Sequence, residues 1–157
     1  MTGRMSTITI SGVVSPAAVF DFYEIVCAVA KPIRIRRIRI AQTSEPPTTD
    51  EEQLALTVIR GHTTSGSGGD TTPDGGVLCS TTPAPGYTAE TMNTSIASAG
   101  TPVNLVEDAW NTRAGYDMAF APEEAPEAVN GERLVLRSAA PADAVTIRAT
   151  MWVEELG

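Results

Sequence analysis

The sequence predicts an all-β protein: one antiparallel β-sandwich spanning 1–157, built from about eight strands. Three observations predict it. Apolar side chains recur at every second position in segment after segment, the period of a strand with one buried face. Gly, Pro and Asn clusters interrupt those segments at short intervals. The chain of 157 residues is 42% apolar, enough for a single core without a metal or disulfide staple.

The elements follow in order. Ile8 and Ile10 alternate with Thr7, Thr9 and Ser11, and Phe20 and Phe22 with Asp21 and Tyr23. Ser15-Pro16 suits a short turn between them. In Ile33-Arg34-Ile35-Arg36-Arg37-Ile38-Arg39-Ile40 the parity of the isoleucines slips at the doubled arginine. A slip of one residue sends every later side chain to the wrong face, so a β-bulge is expected at Arg36-Arg37. Leu54, Leu56 and Val58 form the next alternating run. Residues 61–76 read GHTTSGSGGDTTPDGG, a long surface loop with few apolar groups to bury. Thr88 to Ala99 fits a short helix or an irregular strand.

Tyr116, Met118 and Phe120 resume the period of two. Asn130-Gly131 is a tight-turn dipeptide ahead of the Leu134 and Leu136 strand. Val145, Ile147, Ala149, Met151 and Val153 give the clearest single-faced strand, and the short Pro141-Ala142-Asp143 link makes it a hairpin or an arch with its predecessor. No internal repeat occurs, which argues against a propeller or β-helix. Long crossovers between about eight strands fit a jelly roll; an immunoglobulin-like sandwich is the second choice.

The chemistry expected is sparse. Catalytic, cofactor-binding and metal-binding residues are all expected to be absent. The single histidine, His62, is read as an exposed loop residue without a base or nucleophile beside it. Asp70 and Asp74 match no calcium-loop spacing. The doublets Glu123-Glu124 and Glu154-Glu155, with Asp50-Glu51-Glu52, are read as solvated edges and loops, because strand neighbours point to opposite faces. Cys27 lies in an apolar run and reads as a buried thiol, with a Cys27–Cys79 bridge left open.

A net charge of −8 repels phosphate backbones, so nucleic acid is not expected as a partner. No apolar run reaches the length of a bilayer span, so no membrane partner is expected either. No signal peptide is visible, which predicts synthesis and folding in a cytoplasm.

What remains is surface. The lone lysine is Lys31; nearly all other positive charge is arginine. Arg34, Arg36, Arg37, Arg39 and Arg148 lie on strands, as do Arg133 and Arg137. Arginines on strand faces of an acidic chain should pair with carboxylates, its own or a neighbouring subunit's; subunit contacts are the expectation. Trp152 lies opposite the apolar side of its strand and faces solvent or a partner. Trp110 is expected to fill the core or a seam between subunits. The predicted interface is therefore Arg34, Arg36, Arg37, Arg39, Arg148 and Trp152.

Over the last third, the run Trp110, Gly115-Tyr116, Ala121-Pro122-Glu123-Glu124, Asn130-Gly131-Glu132-Arg133-Leu134-Val135-Leu136-Arg137, Ala140-Pro141 and Val145 to Gly157 resembles tailed-phage virion proteins. The shared features are a Gly-Glu-Arg, Leu-x-Leu strand and a final strand ending in a Glu-Glu doublet. The resemblance implies a small jelly roll that decorates or cements a capsid, often as a homotrimer, in contact with a major capsid protein. It implies a virion location after synthesis in a host bacterial cytoplasm, and no active site. By analogy, Met1 to Ile10, and residues 1–7 above all, would be an arm reaching a neighbour. The alternative is a lectin-like or receptor-binding module that binds a ligand or glycan, with loop 61–76 as its tip. An enzyme is the remote third choice, since the chain lacks the usual cupin ligands.

Overall fold

Alternation of this kind gives each sheet one apolar face, and two sheets packed face to face bury both. The computed structural model describes residues 3–14, 18–28, 30–44 and 52–157. Its strands are β1 (Arg4–Val14), β2 (Phe20–Val26), β3 (Ile33–Gln42), β4 (Gln53–Arg60), β5 (Gly75–Val77), β6 (Thr88–Asn93), β7 (Val103–Asn111), β8 (Tyr116–Ala119), β9 (Glu127–Ala128), β10 (Arg133–Ser138) and β11 (Val145–Glu155). No helix occurs among the described residues. One sheet runs β5-β1-β11-β3-β8, with β9 also on β3; the other runs β6-β2-β10-β4-β7. Every pairing is antiparallel, and no strand pairs with its neighbour in sequence.

The core lies between the sheets. β3 contributes Ile33, Ile35, Ile38 and Ile40, all buried. Two pairs of opposite parity reach one face because the register against β11 jumps: Trp152 sits opposite Arg37, Val153 opposite Ile35, and Arg36 is the extra residue. This is the expected bulge. Trp110 is fully buried, packed edge-on to Phe22, with its indole N–H donated to Ser138 Oγ at 3.1 Å. The Asn130-Gly131 turn also forms, with φ of 51° and 83° and Glu132 N–H donated to the Val129 carbonyl. Gly131 there occupies the left-handed region at no steric cost. The Pro141-Ala142-Asp143 link is an arch, carrying the chain from one sheet to the other.

One expectation needs correction. Residues 1–7 are not a free arm from Arg4 onward: β1 runs in register with β11 from Arg4–Glu155 to Val14–Val145 and carries β5 on its other side. Its alternation is that of a half-buried strand, which a free arm would leave unused. The segment 61–76 runs over the surface as a mostly exposed stretch with no strand before β5. It strands itself along 91–98 through the bridges Thr64–Ser98, Ser67–Ser95 and Asp70–Thr91, then enters β5. Gly66 and Gly69 permit this, because a Cβ on either would collide with the Ser95 or Thr91 carbonyl.

Those two segments form a strap over the outer face of the five-stranded sheet. Asp21 and Glu24, on the outer side of β2, are buried beneath it. Asp21 accepts from Arg137 Nε at 2.7 Å and from Ala97 N–H at 2.7 Å. Glu24 accepts from Gly66 N–H at 2.8 Å and lies 3.3 Å from Arg133 Nε. Ile59, Val135 and Ala97 pack in a small apolar cluster under the same cover. Thr88 to Ala99, ambiguous in the sequence, is thus strand β6 followed by part of the strap. The Ser15-Pro16 turn lies outside the described residues.

Candidate functional site

The predicted interface residues gather on one surface, the outer face of the six-stranded sheet. β3 and β11 run side by side there, with Arg37 opposite Trp152, Arg39 opposite Thr150 and Ala41 opposite Arg148. β1 adds Thr7, Thr9 and Ser11 opposite Trp152, Thr150 and Arg148. The face is a lattice of hydroxyls and arginines around one indole.

Three of the arginines find carboxylate partners within the chain. Arg34 Nε donates to Glu127 Oε2 at 2.6 Å. Arg36, in the bulge, lies 3.8 Å from Glu154. Arg37 makes a two-pronged bond to Asp117, Nε to Oδ1 at 2.7 Å and an amino nitrogen to Oδ2 at 2.5 Å. The hydrogen bonds from Arg37 hold the Asp117 carboxyl below the usual carboxylate range, with the Arg37 and Arg39 charges adding to the effect. The reason is register: Glu127 on β9 pairs Arg34, and Asp117 on β8 lies beside β3. Arg133 and Arg137 likewise meet Glu24 and Asp21.

Arg39 and Arg148 stand apart. Both are exposed, and neither forms an ion pair among the described residues. Trp152 is half-buried beneath the Arg37 guanidinium, 5.2 Å from its ring centroid, in cation–π geometry.

Other predicted features settle differently. His62 is buried, 7% exposed, with Nδ1 3.3 Å from the Ala99 carbonyl. Glu155 is buried too: its carboxylate accepts from Gly86 N–H at 2.6 Å and faces Arg4 and Lys31 at 3.4 and 3.7 Å. Both had a legible signal. His62 shares the parity of Leu54, Leu56 and Val58, and Glu155 that of Val145 to Val153. Glu123 and Glu124 are exposed in a turn; Glu52 caps the Ala142 N–H, and Asp50 and Glu51 lie outside the described residues. Cys27 is buried and Cys79 exposed, both as free thiols.

The chain matches no protein-family model, and no curated protein matches it.

At the seam where β5 approaches the start of β6, a cavity of about 470 Å³ is walled by Ile8, Pro73, Val77, Pro85 and Ala89. Its one titratable wall residue is Tyr87, whose hydroxyl lies 2.6 Å from Ser6 Oγ. Burial pushes the Tyr87 phenol up. The site geometry therefore offers a fixed, cation-bearing sheet face on one side and an apolar slot on the other. Among the described residues no three His, Cys, Asp or Glu side chains converge on one point.

Proposed function

We propose that this chain is a non-enzymatic structural protein of a virion: a capsid decoration or cement protein that self-associates, as a trimer, and seats on a major capsid protein. The observation that carries the reading is the outer face of the six-stranded sheet. Trp152 is held there by Arg37, which is itself held by Asp117, while Arg39 and Arg148 remain exposed beside them. Aromatic and arginine side chains on a rigid surface are the usual anchors of protein interfaces.

The strand order supports the jelly-roll form of this reading. In the interleaved orders β1-β11-β3-β8 and β2-β10-β4-β7, the chain changes sheet at each step from β1 to β4 and from β7 through β8 and β10 to β11, while β4 and β7 pair within one sheet. In an immunoglobulin-like sandwich the first two strands share a sheet. The strap argues against loop 61–76 as a ligand-binding tip, because backbone bonds at Thr64, Ser67 and Asp70 tie it down to 91–98.

Light scattering on the purified chain tests the reading. The expected result is a mass of three 16.5 kDa chains at micromolar concentration. A mass of one chain at every concentration overturns self-association.

A further inference from the structure

Arg39 and Arg148 are diagonal neighbours across the β3–β11 ladder, two positions apart in register on the same face. Such positions lie roughly 7–8 Å apart, close enough for like charges to repel. Asp117, opposite Arg39 across the β3–β8 ladder, offsets part of that repulsion with its charge, while Arg148 forms no ion pair among the described residues. Asp117, the nearest acid by register, is engaged by Arg37 on both oxygens. Two exposed, rigidly based guanidinium groups at that spacing, flanked by Ser11, Thr9 and Thr150, suit a pair of carboxylates.

The chain carries such a pair. Among the described residues, Glu123-Glu124 is the one acidic doublet whose side chains have no partner within the chain. Glu107 accepts from Asn104, Asp108 from Tyr116, and Glu154 and Glu155 face arginines. The Glu123-Glu124 turn is closed by the Glu124 N–H bond to the Ala121 carbonyl and flanked by Pro122 and Pro126. It follows β8, the edge strand of the same sheet whose face carries Arg39 and Arg148.

From this complementarity we infer that the Arg39–Arg148 pair receives the Glu123-Glu124 turn of a second copy of this chain. The inference rests on the self-association proposed above and names its contact. A turn docking on a face is a head-to-tail interface, the kind that closes into a ring. Trp152 and Arg37 form the adjoining floor.

Charge reversal with rescue tests it, read by light scattering across a dilution series. Arg39→Glu/Arg148→Glu and Glu123→Arg/Glu124→Arg are each expected to raise the dissociation midpoint at least about tenfold. The quadruple variant, with the charges exchanged, is expected to return it to within about threefold of the wild type. All four residues are exposed, so circular dichroism should stay unchanged. An oligomer indifferent to either reversal, or a quadruple variant that stays dissociated, overturns this contact and leaves self-association standing. A wild-type chain that is monomeric throughout overturns self-association itself, and this contact with it.

Discussion

Arg37 lies over the indole of Trp152 while its Nε and one amino nitrogen donate to Asp117, so a single guanidinium ties β3, β8 and β11 together on the outer face. The arrangement has a pH signature. Asp117 has a folded pKa depressed by the Arg37 hydrogen bonds, and its unfolded value is about 3.9. The stabilisation it contributes is therefore complete above the unfolded value and is lost as pH falls through the lower folded value. Trp152 fluorescence should stay constant from neutral pH to about 4 and change only below it. Asp117→Asn should remove that step. A step retained in the variant would assign it to another group.

The strap depends on buried charge. Asp21→Ala leaves the Ala97 N–H without its acceptor and Arg137 without its carboxylate, with only the Ala97 carbonyl still accepting from it. Removing one partner of a buried ion pair costs about 3–5 kcal/mol. Urea unfolding should show that loss, and exchange of the Ala97 amide should accelerate. Asp21→Ala with Arg137→Met should recover part of it, since the uncompensated charge goes too.

The bulge at Arg36 shows how much of the fold the sequence carries. The parity slip in β3 was readable from the isoleucines alone, and the register jump sits where it predicts. Deleting Arg36 should expose two isoleucines or bury arginines, costing about 4 kcal/mol or more at about 2 kcal/mol per side chain. Arg36→Ala keeps the bulge and loses only a long surface ion pair, about 1 kcal/mol or less. Thermal unfolding separates the two outcomes; equal effects would contradict the register account.

Other parts were illegible for physical reasons. β7 escaped notice because it is an edge strand with mostly exposed side chains and a register shift at Leu105, so its apolar period is broken. The burial of Asp21 and Glu24 was hidden because their cover comes from segments far along the chain, chosen by backbone N–H groups that carry no sequence signal. The placement of Arg34, Arg37, Arg39 and Arg148 on one sheet face was legible in their strand positions. Their partners Asp117 and Glu127 were not, because pairing of β8 and β9 with β3 is a property of topology.

The two thiols should differ sharply. Cys79 is exposed, and the Thr81 hydroxyl lowers its pKa to about 7; burial pushes the Cys27 thiol up. Iodoacetamide should label Cys79 in the native protein with a rate that is half-maximal near pH 7, against about 8.5 for an ordinary thiol. Thr81→Val should move that midpoint upward. Cys27 should label only on unfolding, and its labelling in the folded state would contradict the burial described.

The role of the outer face is tested most directly by sedimentation velocity of Trp152→Glu beside the wild type. The wild type is expected to sediment as an assembly whose proportion grows with concentration, and Trp152→Glu as single 16.5 kDa chains with unchanged β-sheet dichroism. Identical sedimentation of the two proteins would contradict it.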